Sequence, residues 1–364
     1  MGRFLPLCLA LWVALLGASH GETSDLSRAS RWARWIEAAG IDPSIAIDPF
    51  ATSPEMLAWV EDVLRPHTGE DDLDRVIAIQ RALFDESFGF KYEADRTLTA
   101  EQAFAERRGN CMSFTVMFVS LARTAGIEAF LMTVMREPDV DRDGDLVVVN
   151  RHVVAAMMGD PGTVAVFDFY LRDDGPRIQQ LVIDDVKATA MYHTNLGGDA
   201  IREGRLDDAS EHLRIATTLA PDWAPGWINL GVVRNRMDDR EGAIDAYQKA
   251  LDADPLDSSA LTNLAAMYRD QGMDTEADTA LRAAAHQTTN PFTLIALADV
   301  EMMDGDLRAA RRWLNKARRW YPDEPEVYRA LSRLAARRGK LDVAARYQDR
   351  AAKLDETAAG TQPE

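Results

Sequence analysis

The C-terminal half of the chain repeats one pattern of apolar and small residues about every 34 positions. Each of five units has an alanine, a second alanine seven residues later, and a leucine thirteen residues before the first alanine. The first alanines are Ala209, Ala243, Ala277, Ala310 and Ala344, and the leucines are Leu196, Leu230, Leu264, Leu297 and Leu331. Because one such unit cannot bury its own apolar face, the period predicts five stacked helix pairs over residues 190–357.

The clearest unit runs from Gly226 to Pro255 and shows which family the repeats resemble. Its residues at the spacing of the tetratricopeptide repeat are Trp227, Leu230, Gly231, Ala243, Tyr247, Ala250 and Pro255. This resemblance implies an all-α solenoid whose concave groove binds a protein or peptide segment. Glycines such as Gly204 and Gly272 stand where the two helices of a pair are expected to turn.

The N-terminal half lacks this period and changes from helical to strand patterns part-way along. A helix is predicted from about Asp71, and a strongly apolar helix begins at about Cys111, since large apolar residues recur there at helical spacing. Short segments rich in Val and Phe follow: AFLMTVM, LVVVNRHVVAAMM and TVAVFDFY. This order predicts an α+β domain over residues 24–189.

Three residues of this domain, Cys111, His152 and Asp168, have the chemistry of a nucleophile, a base and an orienting carboxylate. Cys111 opens the apolar helix, where unpaired N–H groups and the helix dipole favour a thiolate. The sequence GDPG predicts a turn between the strands of His152 and Asp168. A turn centred on Asp160 sets these two side chains opposite each other, whereas a turn centred half a residue later opposes His152 to Phe169.

The segment RRGNCMSFTVMFVSLARTAGIEA resembles the core motif of the transglutaminase-like superfamily, whose members are papain-like cysteine enzymes. The resemblance covers about residues 70–170 and implies a papain-like fold that needs no cofactor. It implies Cys111 as the nucleophile, His152 as the general base and acid, and Asp168 as the residue that orients the imidazole. The backbone N–H of Cys111 would stabilise the oxyanion, with Tyr92 as a candidate for a second donor.

The combination of these two parts leaves two functional hypotheses. In the first, the protein is a cysteine peptidase, amidase or acyltransferase that attacks an amide bond of a protein or peptide recruited by the repeats. In the second, Cys111 is an inert core residue and the protein is a non-catalytic envelope scaffold that binds protein partners. An accessible thiolate paired with His152 favours the first hypothesis, and a buried neutral thiol favours the second.

The extreme N-terminus has the pattern of a bacterial export signal. Arg3 precedes an apolar stretch over residues 4–16 and small residues follow, so residues 1–21 are predicted to be a signal peptide, with an uncleaved anchor as the alternative. No other apolar run approaches the roughly 20 residues of a spanning helix. A periplasmic or envelope-associated protein is therefore expected. Cleavage would remove Cys8 and leave Cys111 as the single cysteine.

Charge excludes one class of partner and leaves another open. The chain has 41 Lys and Arg against 59 Asp and Glu, a formal net charge of −18, so nucleic acid is not an expected partner. The stretch from Arg308 to Lys340 differs, with eleven basic and three acidic residues. It predicts either a solvated outer helix face or a basic groove end that meets an acidic peptide or an anionic envelope surface.

Two short segments carry weaker signals. Alternate aspartates have the spacing of the first half of an EF-hand calcium loop, and these are Asp139, Asp141 and Asp143. Asn150 stands at the twelfth position, where that loop needs a bidentate Glu, so a polar solvated loop is expected and a calcium site is the alternative.

The polar C-terminal residues 358–364 are predicted to be a disordered tail.

Overall fold

The protein is described here by a computed structural model, which covers residues 28–134, 139–143, 146–150, 152–159, 163–168, 180–285, 288 and 290–360. Among the described residues, those up to Asp48 form one compact unit and those from Pro49 onward form a second. Helix α1 (Arg28–Ala38) lies in the first unit. The predicted signal peptide, with Cys8, lies outside the described residues.

Helices and short strands alternate in the second unit before the repeats begin. In chain order they are α2 (Pro54–Leu64), a 3-10 turn (Arg65–His67), α3 (Asp72–Phe84), β1 (Lys91–Tyr92), α4 (Ala100–Glu106), β2 (Arg108–Gly109), α5 (Cys111–Thr124), β3 (Ala129–Val134), β4 (Asp139–Asp143), β5 (Leu146–Asn150), β6 (Val153–Met158), β7 (Val164–Phe167) and β8 (Gln180–Ile183). The predicted α+β class is confirmed.

A four-stranded antiparallel sheet in the order β7-β6-β3-β8 forms the β layer of this domain. Helix α5 packs on β3 and β6, and every residue from Met112 to Ala122 is buried. The apolar run that predicts α5 is therefore the central core helix. Two smaller sheets stand apart from the main one: β1 pairs with β2 in parallel, and β4 pairs with β5 as an antiparallel hairpin.

The repeats form five consecutive helix pairs within the described residues, as the 34-residue period predicts. The pairs are α6 (Asp185–Arg202) with α7 (Leu206–Leu219), α8 (Ala224–Arg236) with α9 (Arg240–Ala253), α10 (Ser258–Asp270) with α11 (Asp274–Ala285), α12 (Pro291–Met303) with α13 (Leu307–Trp320), and α14 (Pro325–Arg337) with α15 (Leu341–Gly360). Helix α15 continues to Gly360, into the segment predicted to be disordered, and residues 361–364 lie outside the described residues.

Two uses of glycine shape the helix pairs. Gly204 and Gly272 turn the chain between paired helices at φ values of 75° and 74°, and Asp238 takes the equivalent left-handed position in the second pair. Gly231 lets α8 approach α9, since a Cβ atom there would lie 2.4 Å from the ring of Tyr247. Small residues at this position of the repeat therefore set the close spacing of each pair.

The sheet and the repeats are joined without a linker. Strand β8 ends at Ile183, and Asp184 caps α6 by accepting a hydrogen bond from the backbone N–H of Lys187 at 2.7 Å. Arg123, near the end of α5, donates to both carboxylate oxygens of Asp185 at 2.8 and 2.9 Å. The predicted domain boundary at residues 189 and 190 falls inside α6.

The β4–β5 hairpin makes a second connection between the two parts. Its strand β5 lies against α6, α8 and α10, which are the first helices of the first three pairs. The hairpin therefore leaves the sheet of the N-terminal domain and reaches the repeats, and the chain then returns to the sheet at β6. Among the described residues, no helix is both long enough and apolar enough to cross a membrane.

Candidate active site

Cys111 is the first residue of α5 and is partly exposed, whereas the eleven residues that follow it are buried. Asn110 caps the helix: its Oδ1 atom accepts a hydrogen bond from the backbone N–H of Ser113 at 3.0 Å. The backbone N–H groups of the first helical turn have no acceptor within the helix. The sulfur of Cys111 thus stands at the positive end of a fixed helix dipole, as the sequence predicts.

The backbone before Cys111 has a conformation that requires glycine. Gly109 has φ of 149°, and a Cβ atom there would lie 2.5 Å from Cβ of Ser113. The hydroxyl of Ser113 accepts from the backbone N–H of Leu98 at 2.7 Å and lies 3.1 Å from the carbonyl oxygen of Arg96. Ser113 holds residues 96–98 against the start of α5, and Gly109 makes this contact possible. Any larger residue at position 109 would place a Cβ atom where the side chain of Ser113 lies.

His152 and Asp168 lie at the ends of two neighbouring strands. His152 directly precedes β6 and Asp168 directly follows β7. The Nε2 atom of His152 is 2.9 Å from Oδ2 of Asp168. The imidazole and the carboxylate are thus brought together, as the sequence analysis expects of a base and its orienting group.

Both turn registers considered from the sequence are wrong. Ala155 stands opposite Phe167 and Met158 opposite Val164, so the hairpin is centred one residue later than Asp160. Continuing this register sets Asp168 beside Val154, diagonally across from His152. The prediction that His152 and Asp168 share one face of the sheet still holds. Moving the centre of the hairpin by one whole residue moves the partner of each residue by two positions, and side chains two positions apart lie on the same face.

The environment of His152 favours its charged form. Burial by itself would lower the pKa of the imidazole, because it removes water from the imidazolium. Hydrogen bonds to Asp168 and to Cys111, with the charges of both groups, outweigh burial and raise the pKa of His152 to about 9. Since Nε2 is bonded to Asp168, Nδ1 is the ring nitrogen that remains for the thiol. The arrangement therefore favours an imidazolium at neutral pH, as a thiolate–imidazolium pair requires.

Helix α5 is fixed directly to the strand that follows His152. The hydroxyl of Thr115, one turn after Cys111, donates to the carbonyl oxygen of Val153 at 3.3 Å. Further along the helix, the ring of Phe118 packs on that of Phe167 with centroids 5.2 Å apart. These contacts hold the cysteine-bearing helix against both strands that carry the other two residues.

The remaining candidates of the sequence analysis lie in different places. Tyr92 is half-buried in β1, opposite Gly109, and so lies beside the segment that leads into Cys111; its role as an oxyanion donor stays a prediction. The backbone of Asp139 to Asp143 is an extended strand paired with β5 rather than a solvated loop. Among the described residues, no group of three or more His, Cys, Asp or Glu is placed to hold a metal ion.

The supporting shell of Cys111 contains residues that sequence reasoning missed. The side-chain amide of Asn110 donates to the hydroxyl of Thr97 at 2.8 Å, and both side chains are buried. Thr97 in turn lines one cavity with Asp199, on α6 of the first repeat, and hydrogen bonding to Thr97 opposes the burial that raises the pKa of Asp199. An N-cap signal before an apolar helix would have indicated Asn110. No local signal connects Thr97 with Asp199, which lies far along the chain.

The basic stretch lies on the fourth and fifth pairs. Five arginines of α13 are exposed: Arg308, Arg311, Arg312, Arg318 and Arg319. In α14, Arg329 pairs with Glu326 at 2.6 Å and Arg333 with Asp299 at 2.8 Å. Helix α13 is the second helix of its pair, so its exposed arginines fit the interpretation as a solvated helix face.

Comparison with protein families finds both parts of the chain. The model of the transglutaminase-like superfamily matches residues 58–169, which include Cys111, His152 and Asp168. Two tetratricopeptide repeat models match residues 224–255 and 246–282. The two resemblances noted in the sequence are thereby confirmed.

Individual relatives match smaller shares of the chain. Peroxisome biogenesis protein 5 of Arabidopsis thaliana is 29% identical over 136 residues, which are 37% of this chain and 18% of that protein. PilF of Pseudomonas aeruginosa is 22% identical with a TM-score of 0.42, over 47% of this chain and 78% of that one. MamA of Desulfovibrio magneticus RS-1 is 18% identical with a TM-score of 0.36, over 46% of this chain and 96% of that one. The chain thus combines a transglutaminase-like domain with tetratricopeptide repeats.

Proposed function

We propose that the protein is a cysteine enzyme of the transglutaminase-like class that attacks an amide bond of a protein or peptide through Cys111. The observation that carries this proposal is the position of His152, whose Nε2 lies 2.9 Å from Oδ2 of Asp168 and whose pKa is raised by the neighbouring Asp168 and Cys111. Each ring nitrogen of a partly buried histidine needs a polar partner, but packing alone does not require these partners to be a carboxylate and a thiol. Here its two partners are a carboxylate and a helix-terminal thiol, in the order that nucleophilic catalysis uses.

The first half of the reaction follows from these contacts. The thiolate of Cys111 forms a bond to the carbonyl carbon, and the carbonyl π electrons move to the oxygen. The tetrahedral intermediate then collapses, and the C–N bond breaks as the proton on Nδ1 of His152 passes to the departing amine. The products are a thioester on Cys111, a free amine and a neutral imidazole that Asp168 keeps in place.

The oxyanion forms at the start of α5. The backbone N–H of Cys111 belongs to the first helical turn and can donate to it, as the positive end of the helix dipole favours. Tyr92, next to Gly109 across the two-stranded sheet, is the candidate for the second donor. In the second half of the reaction, neutral His152 removes a proton from water or from an acceptor amine, which attacks the thioester carbon. The C–S bond then breaks and restores the thiolate of Cys111 beside protonated His152. Water gives hydrolysis and an amine gives acyl transfer.

The pairing of Cys111 with His152 can be measured without knowledge of the substrate. Iodoacetamide alkylation is followed between pH 5 and 9 by mass spectrometry of the tryptic peptide from Gly109 to Arg123, whose one cysteine is Cys111. We expect rapid alkylation that changes little between pH 6 and 8. In His152→Ala, the rate at pH 6 should fall at least tenfold and then rise with pH as it does for an ordinary thiol.

The matched control is His67→Ala. His67 is a partly exposed histidine bonded to Glu70 at 2.8 Å, in the turn after α2, and its loss should leave the profile unchanged. If Cys111 instead alkylates as an ordinary thiol in both the wild type and His152→Ala, the enzyme proposal fails. The non-catalytic scaffold would then be the better hypothesis.

The proposal extends to a partner and a location. The repeats recruit a protein or peptide to the groove, and residues 1–21 direct export to the periplasm or envelope. The first point is supported by the repeat family and the second by the N-terminal sequence pattern. Cell fractionation followed by N-terminal sequencing tests the second: a mature chain that begins close to residue 22 supports export, and an unprocessed protein in the cytoplasmic fraction contradicts it.

A further inference from the structure

The first repeat contacts the shell of Cys111 through buried side chains. Asp199 of α6 and Thr97 line the same cavity, and hydrogen bonding to the hydroxyl and the backbone N–H of Thr97 opposes the burial that raises the pKa of Asp199. The Thr97 hydroxyl accepts a hydrogen bond from the side-chain amide of Asn110 at 2.8 Å. Asn110 caps the helix that Cys111 begins. Two hydrogen-bonded steps therefore connect a carboxylate of the repeats with the residue that sets the start of α5. Because Asn110 and Thr97 are buried, water does not readily replace either step.

The repeats also contact the segment that leads to His152. Strand β5 lies against α6, α8 and α10 and ends at Asn150, two residues before His152. Within the described residues, β5 pairs with β4 alone. The main-chain N–H and C=O groups along its other edge therefore have no neighbouring strand among these residues to bond to. Such groups require hydrogen-bond partners when they are covered. The helices that cover β5 are the elements placed to supply them.

Two asparagines have the position that this strand edge requires. Asn229 on α8 and Asn263 on α10 occupy the same position of successive repeats, 34 residues apart, and both are fully buried. Each asparagine lies two residues before a small residue that faces the second helix of its own pair. In α8 this small residue is Gly231, which faces Tyr247 of α9. In α10 it is Ala265, which shares a core cluster with Leu281 of α11. At about 100° per residue, two residues turn the asparagine roughly to the opposite side of the helix. That side is the inner face of the repeats. The side chain of Asn263 also lies beside the hydroxyl of Tyr247, on α9 of the preceding pair.

We propose that the first three repeats position the candidate active site, in place of serving only to recruit a partner. Asp199 acts through Thr97 and Asn110 on the Cys111 side, and Asn229 and Asn263 hold the main chain of β5 on the His152 side. The inner face of these three repeats is then occupied by the protein's own hairpin, and an external peptide has the last two repeats. The effect on the reactivity of Cys111 rests on the proposed function. The contact of Asp199 with Thr97 and the contact of the two asparagines with β5 do not depend on it.

The asparagine contact is tested by hydrogen exchange in the full-length protein. In Asn229→Ala/Asn263→Ala, the amides of residues 146–150 should exchange at least tenfold faster than in the wild type. The matched control is Asn315→Ala, which removes an exposed asparagine of α13 and should change nothing in this segment. Circular dichroism confirms that the repeats remain helical. Unchanged exchange of residues 146–150 in the folded double variant would overturn the proposal.

The Asp199 contact is tested with a pair of threonine variants. Thr97→Val keeps the shape of the side chain but removes the hydroxyl, and Thr97→Ser restores it. We expect Thr97→Val to speed exchange of residues 110–114 and to reduce the rate of Cys111 alkylation at pH 7 at least threefold, and Thr97→Ser to return both to wild-type values. Equal behaviour of the valine and serine variants would overturn this arm. If wild-type Cys111 is itself unreactive, the proposed function fails, and the exchange rates still decide whether the repeats hold the site.

Discussion

The two parts of this chain differ in how many separate segments each brings into contact. In the repeats, the main contacts join helices that follow each other, as in the approach of α8 to α9 at Gly231. In the transglutaminase-like domain, contacts of similar span, such as Ser113 with Leu98 and His152 with Asp168, are combined with longer ones: Thr115 bonds to Val153, and Arg123 to Asp185. The repeats therefore resemble a chain of similar local units, whereas the candidate site exists only when several distant segments are in place together.

This difference implies different responses to damage. A change in one repeat should weaken that repeat and its neighbours, because each pair packs on the next. A change beside Cys111 should disturb several segments that are remote in sequence but share one core. Four substitutions test this contrast, and they are given from the largest expected effect to the smallest.

Gly109→Ala should have the largest effect. The new Cβ would lie 2.5 Å from Cβ of Ser113, at φ of 149°. Backbone strain and overpacking together should cost about 4 kcal/mol, seen as a lower opening free energy of residues 93–124 in native-state hydrogen exchange. Gly272→Ala is the control, because that turn has φ of 74° and open space around it, so its cost should be about 1 kcal/mol. Equal effects of both variants would contradict the special fit at Gly109.

Gly231→Ala should damage the repeats by about 2 kcal/mol, because the added methyl group meets the ring of Tyr247 at 2.4 Å. The loss of protection in hydrogen exchange should spread from α8 and α9 to the adjacent pairs and leave α14 and α15 nearly unchanged. Gly204→Ala, at an open turn, is the matched control. A uniform loss of protection over the whole chain would contradict the local character of the repeats.

Asp168→Asn should lower the pKa of His152 from about 9 by at least one unit, because the hydrogen bond and charge of the carboxylate hold the imidazolium. One unit corresponds to about 1.4 kcal/mol. The titration of the imidazole protons is followed by NMR, and the His152→Gln spectrum assigns the signal. An unchanged pKa in Asp168→Asn would mean that Asp168 does not stabilise the charge.

The same raised pKa gives the direction of the pH dependence of stability. The folded-state pKa of about 9 lies above the ordinary imidazole value of 6.5. The pair with Asp168 therefore contributes fully below about pH 6.5 and is lost as the pH rises towards 9. Chemical unfolding of the wild type should show this loss between these limits, and His152→Gln should show less of it.

Thr115→Val should have the smallest effect, about 1 kcal/mol. It removes the hydroxyl that bonds to the carbonyl oxygen of Val153 at 3.3 Å while keeping the shape of the side chain. Faster exchange of the β6 amides would show the loss. Thr124→Val is the control, since its hydroxyl bonds to Leu121 within the same helix. If both variants affect β6 equally, the contact of Thr115 with the sheet contributes nothing special.

Much of the candidate site can be predicted from local sequence. The apolar run after Asn110 predicts a buried helix with Cys111 at its start, and the strands that hold His152 and Asp168 follow from their Val- and Phe-rich patterns. Their register does not follow from the sequence. Neither turn centre considered from GDPG is the observed one, because pairing is decided along the whole strand and not by the turn residues alone.

The sequence by itself determined the five repeats, the apolar helix of Cys111 and the residue types of the site. Each of these depends on periodicity or on neighbours in the chain, which one segment can encode. The tertiary structure decided the register that sets His152 diagonally across from Asp168, the contact of Thr97 with Asp199, and the place of β5 against the repeats. These contacts join residues from different segments, and no local pattern records them, because their energy is gained only after the core has brought the segments together.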